Sequence, residues 1–156
     1  MTTTDLVDMP ADRLPVWLDT TMAEYVESRV RAGETRQQAE ANKQRSLDQW
    51  FPDGAPLPDH RVWDLVDGDG AVVGYLWIGP FSPGSADWWV FDIEVDEPHR
   101  RSGHARRALE AAHRVARQEG ATSIGLNVFG YNDGARDLYE RLGYGVTALQ
   151  MKLPLD

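Results

Sequence analysis

Between Val95 and Ala105 the chain reads VDEPHRRSGHA, and this stretch combines the features of an anion site. A β-prone run, Trp88 to Val95, ends there. Pro98 and Gly103 interrupt the chain, and a helical pattern then begins with small residues and arginines at its mouth. The first N–H groups of a helix lack intrahelical partners and sit at the positive end of its dipole, so together they attract phosphate. Gly103 and Ala105 keep bulk away, which lets a pyrophosphate approach the backbone, and Arg100 and Arg106 can bond its oxygens. The chain has neither G-x-x-x-x-G-K-[ST] nor a G-x-G-x-x-G that opens a helix, which excludes the usual nucleotide-triphosphate and dinucleotide loops. Arg100, Arg101, Arg106, Arg107 and Arg114, with His99, His104 and His113, form a basic cluster. It reads either as a local anion site or as a solvated helix face.

The run 88–95 carries a second candidate. Asp92 and Glu94 are two carboxylates on an otherwise apolar strand, unusual unless they face a cleft. Regular alternation predicts that they share a face with Trp88 and Val90, while Trp89, Phe91, Ile93 and Val95 take the other. Either carboxylate can accept a proton from a reacting group or anchor a cation; the plainer reading is a pair capped by Arg or backbone groups. Tyr139 shares a helical face with Ala135, Leu138 and Leu142, so its residue pattern fits a core aromatic with a satisfied hydroxyl. There is no cysteine, which excludes disulfides, thiolate zinc sites and a cysteine nucleophile. The histidines show no metal-ligand spacing, and no Ser/His/Asp set stands out, so no metal is expected.

The elements that must position these residues follow from periodicity and punctuation. Helices are predicted over 15–32 and 35–50, with Gly33 between them and Thr35 capping the second. Strands over 61–66 and 71–78 are joined by Asp67-Gly68-Asp69-Gly70, a hairpin turn. After the strand 88–95, a helix over about 103–119 carries Ala105, Ala108, Leu109, Ala112, Val115 and Ala116 on one stripe and stops at Gly120. A strand over 123–129, a helix over about 133–142 capped by Asn132 and stopped by Gly143, and a strand near 144–153 complete the order. This order predicts an α/β (α+β) fold, a mixed sheet with helices on its faces.

At 156 residues the chain fits one domain, 1–156. It divides into N-terminal helices (1–55), hairpin and central strand (61–95), loop and helix (96–120), and a C-terminal strand-helix-strand unit (121–156). With 42% hydrophobic residues and six Trp it can fill a core, which argues against disorder. The net charge of −9 disfavours nucleic acid and anionic membrane as partners. The N-terminus lacks the pattern of a signal peptide, and no apolar run has the length of a membrane span, so a cytoplasmic protein is expected.

Two segments resemble a known family. Arg100-x-x-Gly103-x-Ala105 after a strand resembles the R/Q-x-x-G-x-G/A acyl-CoA pyrophosphate loop of the GNAT N-acetyltransferases. Asn132-x-x-Ala135-x-x-Leu138-Tyr139-Glu140-x-x-Gly143-Tyr144 resembles that family's N-x-x-A-x-x-L-Y-E-x-x-G-[FY] signature, in the expected order. The close resemblance covers 88–150. It implies a mostly antiparallel central sheet flanked by helices on both faces. It also implies acetyl transfer from acetyl-CoA to a primary amine by direct attack in a ternary complex, without a metal.

In that reading Arg100, Arg101, Ser102, Gly103, His104, Ala105 and Arg106 hold the pyrophosphate. Ile93 and Val95 offer backbone to the pantetheine arm, and Asn127, Asn132 and Ala135 lie along the cofactor. Tyr139 protonates the departing thiolate. Asn127 stands where some members carry a Glu, which shifts the general-base role toward Asp92 or Glu94. The resemblance further implies an acceptor site built from the N-terminal helices and the 80–87 loop, with the acidic surface suiting a cationic amine. A homodimer through the last strand is compatible with it. A different class, a non-catalytic acyl-CoA-binding regulatory module of the same fold, requires neither Tyr139 nor the two carboxylates.

Overall fold

The computed structural model describes residues 2–155. Its strands are β1 (Thr4–Asp8), β2 (Arg61–Asp67), β3 (Val72–Pro80), β4 (Asp87–Val95) and β5 (Ser123–Gly125). Its helices are α1 (Leu14–Arg31), α2 (Arg36–Trp50), α3 (His104–Gln118) and α4 (Asp133–Arg141). The sheet order is β1-β2-β3-β4-β5, antiparallel except for the parallel β4–β5 pair. The punctuation behaves as its chemistry dictates. Thr35 and Gln38 form a reciprocal capping box at the start of α2, and Asn132 accepts from the Ala135 N–H at the start of α4. The Asp67 carboxylate takes the N–H groups of Asp69 and Ala71 and holds the β2–β3 hairpin turn.

The two faces of the sheet pack differently. On one face the small-residue stripe of α3 (Ala108, Leu109, Ala112, Ala116) lies against Leu65, Val73, Leu76, Ile78, Trp88, Val90 and Val95. Alanines on the helix let it sit close to the strands, so this interface is closed and largely aliphatic, with Trp63 and Trp88 as its buried aromatic members. On the other face α1 and α2 bring Trp17, Leu18, Met22 and Trp50 onto Val62 and Trp77, with Tyr75 and Phe91 packed at the edge. Aromatic rings dominate there: Trp77 stacks on Phe91 with centroids 4.6 Å apart, and Trp17 meets Tyr75 edge-on at 5.5 Å.

Three features depart from the sequence-based expectation. The regular alternation expected along 88–95 is broken by a β-bulge, because Trp77 pairs with Asp92 and Ile78 with Val90, leaving Phe91 without a partner. An extra residue inverts the facing of everything on one side of it. Trp88, Val90, Ile93 and Val95 therefore face α3, while Phe91, Asp92 and Glu94 face α1. Second, β1 forms a strand on β2 that the periodicity did not announce, since Leu6 alone of its side chains packs on the core. Third, the strands expected over 123–129 and 144–153 shrink to Ser123–Gly125, and residues 144–155 pair with no strand among the described residues. β-propensity is realised only where a neighbouring strand is available, and beyond Gly125 β5 has left the side of β4. The terminal segment instead crosses toward the α1–α2 turn, where Lys152 Nζ donates to Gly33 O at 3.1 Å. Leu149, Met151, Leu153 and Leu155 remain exposed along it.

Candidate active site

β4 pairs with β5 only as far as Trp89↔Gly125, yet β4 runs on to Val95. The backbone of residues 90–95 thus has no strand neighbour on that side, and a wedge opens between the two parallel strands. The mouth of α3 lies at the end of β4. There Arg101 and Gly103 are both left-handed, at φ 64° and φ 82°. Left-handed residues in a short loop turn successive N–H groups to the same side and make an anion-binding concavity. Gly103 is also the N-cap of α3 and supplies no side-chain cap, so the first-turn N–H groups stay open. A Cβ at Gly103 would come within 2.6 Å of Arg107 Nη1, so the position tolerates no side chain without moving that arginine.

The arginines divide their work. Arg107 is locked inward, donating to Thr4 Oγ1 and Ser102 O. Arg100 folds back on β4, donating from Nε to Val95 O at 2.8 Å and lying 3.4 Å from Glu94 Oε1. Arg106 pairs with Glu110 on the surface, and Arg101 and Ser102 are exposed. His104 is buried and its Nδ1 lies 2.7 Å from Thr4 Oγ1. Burial, and then the charge of Arg107, push its pKa down, which holds the imidazole neutral. Its ring is turned to β1, so only its backbone N–H faces the concavity. Ala105 is half-buried behind it.

On the other side of β4 the bulge gathers a polar cluster. The Tyr75 hydroxyl of β3 bonds both Asp92 Oδ2 (3.0 Å) and Glu94 Oε2 (3.2 Å). Burial raises Asp92 to about 6, against the lowering bond from Tyr75 and with the charge of Glu94 adding to the rise. Glu24 of α1, an exposed residue, is raised to about 7 by partial desolvation and then by the neighbouring Glu94 carboxylate, with the charge of Asp92 adding to the rise. Tyr139 of α4 is raised by burial and then by the charge of Asp92, which puts those two groups within electrostatic range. Thr21 Oγ1 and Trp17 Nε1 are buried on the same face of α1 without a hydrogen-bond partner.

Asp92 and Glu94 thus lie together on the α1 side of β4, Ile93 and Val95 face α3, and Tyr139 packs against the α3-face core, near enough to sense the charge of Asp92. Ala135 is half-buried on α4, while Asn132 turns its side-chain oxygen to the helix cap. Asn127 is exposed, beyond the paired part of β5. Glu24, Thr21, Tyr75 and Thr4 are absent from the sequence-based site. Glu24 and Thr21 sit three apart on an amphipathic helix and Tyr75 sits in an apolar strand, so only their tertiary neighbours set them apart. Among the described residues no cluster of His, Cys, Asp or Glu has metal-binding geometry, and no helix is long and apolar enough to cross a membrane.

Comparison with known proteins fits this geometry. The model of the acetyltransferase (GNAT) family matches residues 18–144. An uncharacterized N-acetyltransferase, YycN of Bacillus subtilis, is 31% identical, covering 96% of this chain and 97% of its own. The YycN crystal structure superposes with a TM-score of 0.87 over 98% of this chain and 99% of that one. AAC(6')-Iy, solved with a CoA-containing bisubstrate analogue, shares the fold at 14% identity and a TM-score of 0.60, over 98% of each chain. The chain belongs to the GNAT acetyltransferase family, whose members use acetyl-CoA.

Proposed function

We propose that this protein transfers the acetyl group of acetyl-CoA to a primary amine by direct attack. The observation that supports this reading most is the juxtaposition at the end of β4. A loop with open N–H groups and a strand edge without a neighbour lie there beside the half-buried carboxylate of Asp92, with the half-buried phenol of Tyr139 within range of its charge. The concavity of Arg101–Arg106 fits a pyrophosphate, because its N–H groups are open and Gly103 leaves the approach clear. Arg100, Arg101 and Arg106 supply charge to it. The free backbone groups of residues 90–95 fit an extended amide-bearing arm, and a backbone N–H there can polarise the thioester carbonyl.

Acetyl-CoA supplies the activated carbonyl, and the chain moves the protons. Asp92, raised to about 6, is ionised at neutral pH and still basic enough to take a proton from the attacking nitrogen. As the new C–N bond forms and the C–S bond breaks, Tyr139 gives its phenolic proton to the departing sulfur. Its raised pKa keeps that proton in place until then. The Tyr75 hydroxyl orients Asp92 and Glu94.

The test has two stages. Excess acetyl-CoA or free CoA should raise the melting temperature, and NAD should not. Thiol release with an amine should then fall at least about a hundred-fold in Tyr139→Phe while the acetyl-CoA shift persists. No shift at millimolar acetyl-CoA would overturn the cofactor site, and unchanged turnover in Tyr139→Phe would remove that residue from the chemistry.

A further inference from the structure

We propose that Thr4, on the edge strand β1, is a positioning residue for the cofactor's pyrophosphate, acting through Arg107 to hold the Ser102–Gly103 peptide of the loop. This rests on the acetyl-CoA reading above and extends the same site to a strand far from the loop in sequence. β1 is the outermost strand, and β2 and β3 lie between it and β4. The first turn of α3 nevertheless reaches it. Thr4 Oγ1 accepts from Arg107 Nε at 3.0 Å, across 103 residues of chain, and lies 2.7 Å from His104 Nδ1. Arg107 Nη2 is also 3.4 Å from that nitrogen, so Nδ1 faces two donors and is the unprotonated atom of the ring. The bonds therefore run in one direction, from Arg107 to Thr4 and from Thr4 to His104.

The other end of the guanidinium carries this order to the loop. Arg107 Nη2 donates to Ser102 O at 2.8 Å. A trans peptide is planar, so holding the Ser102 carbonyl toward Arg107 turns the Gly103 N–H the opposite way. That N–H, and those of His104, Ala105 and Arg106 after it, donate to no protein group among the described residues. Thr4 thus fixes the first of a run of open donors without offering itself to the anion.

Two observations on the loop support this independently. Arg101 stands at φ 64°, a conformation that a residue with a side chain keeps only where its surroundings over-determine it. Among the described residues the bond from Arg107 is the one hydrogen bond that the protein makes to the backbone of Arg101 or Ser102. At Gly103 a Cβ would meet Arg107 Nη1 at 2.6 Å, so the guanidinium itself occupies the space behind the turn. Without the Thr4 hydroxyl the arginine loses its anchor, the Ser102 carbonyl is released, and the cofactor must order the loop as it binds. That lowers affinity for a pyrophosphate and leaves the thioester end, set by β4, where it was.

The test is calorimetric titration of free CoA into the unsubstituted protein and into Thr4→Val and Thr4→Ser. Valine keeps the β-branched shape and removes the hydroxyl; it should weaken CoA by about ten-fold, and serine should restore affinity to within about two-fold. In thiol release the KM for acetyl-CoA should rise by the same factor with kcat retained. S-acetylpantetheine, a donor without the pyrophosphate, should serve the valine variant and the unsubstituted protein equally. Arg107→Lys keeps the charge but cannot span Thr4 and Ser102. It should weaken CoA as Thr4→Val does, with no further loss in the double variant, and it decides the matter if Thr4→Val does not fold. Unchanged CoA affinity in Thr4→Val, equal losses with both donors, or no rescue by serine would overturn the inference. CoA binding that ignores Thr4, with transfer intact, leaves the acetyltransferase and refutes the positioning role. Binding that depends on Thr4, without transfer to any amine, keeps the role and refutes the reaction. No CoA binding to the unsubstituted protein refutes both.

Discussion

The α3 face and the α1 face of the one sheet are built from the same strands yet do opposite things. Against α3 the strands present Leu65, Leu76 and Ile78, each fully buried, and the helix answers with alanines and Leu109. Among the described residues no buried side-chain polar atom on that face is left unpaired. Against α1 the strands present Tyr75, Trp77, Phe91, Asp92 and Glu94, and α1 answers with Trp17, Thr21 and Glu24. That face holds crowded carboxylates and hydroxyl and indole groups without partners. Both conditions cost stability, and folded proteins retain them where a ligand or a reaction uses them. The bulge at Phe91 is the device that separates the two: without it Asp92 and Glu94 would point into the aliphatic core.

Substitutions that push the two faces in opposite directions test this division. The largest effect is expected from Asp92→Asn. Turnover should drop by about a thousand-fold, measured as thiol release, while the melting temperature stays level or rises because a half-buried carboxylate crowded by Glu94 is gone. Loss of stability with turnover intact would break the comparison. In the unsubstituted protein, turnover should fall as pH drops below about 6, where Asp92 becomes protonated.

On the α3 face, Leu109→Ala should lose about 3 kcal/mol in denaturant unfolding, with thiol release per folded molecule retained. A comparable stability effect comes from pH. His60 is buried, accepts from Trp77 Nε1 at 2.9 Å, and is pushed down to about 4 by burial. A histidine depressed in the folded state binds its proton more readily when unfolded. Stability should therefore be full above about pH 6.5 and fall by about 3 kcal/mol as pH drops toward 4, and His60→Gln should flatten that slope. The smallest effect sharpens the contrast away from both faces: Thr35→Ala removes the α2 capping box and should lower stability by about 1 kcal/mol without changing amine affinity.

Much of the local geometry at the candidate site was legible in the sequence. The Arg100–Ala105 loop is read from a strand end, a glycine and a helix start, and Gly103 has the left-handed geometry that such a turn requires. The Asn132 cap and the following Ala135–Leu138–Tyr139 stripe lie on one short helix, so their spacing carries their placement. Glu24 and Tyr75 were not legible, because a glutamate on a helix surface and a tyrosine in an apolar strand are ordinary until the sheet sets one beside the other. β1 escaped because a short edge strand with one core residue has almost no periodicity. The terminal strand was overread, because β-propensity says nothing about whether a partner edge is there.

By itself, the sequence determined what depends on neighbours a few residues away: the helix limits, their caps, the hairpin at Asp67–Gly70 and the left-handed turn at Gly103 that opens α3. Those are set by backbone geometry and short-range hydrogen bonds, which the residue types specify directly. Only the tertiary structure decided which way Asp92 and Glu94 face, that Tyr75 bridges them, that Glu24 and Thr21 join them, and that β4 and β5 part after Trp89. The physical reason is that a single unpaired residue in a strand inverts the facing of those beyond it. Side chains from α1, β3 and β4 become a site only when the two layers pack.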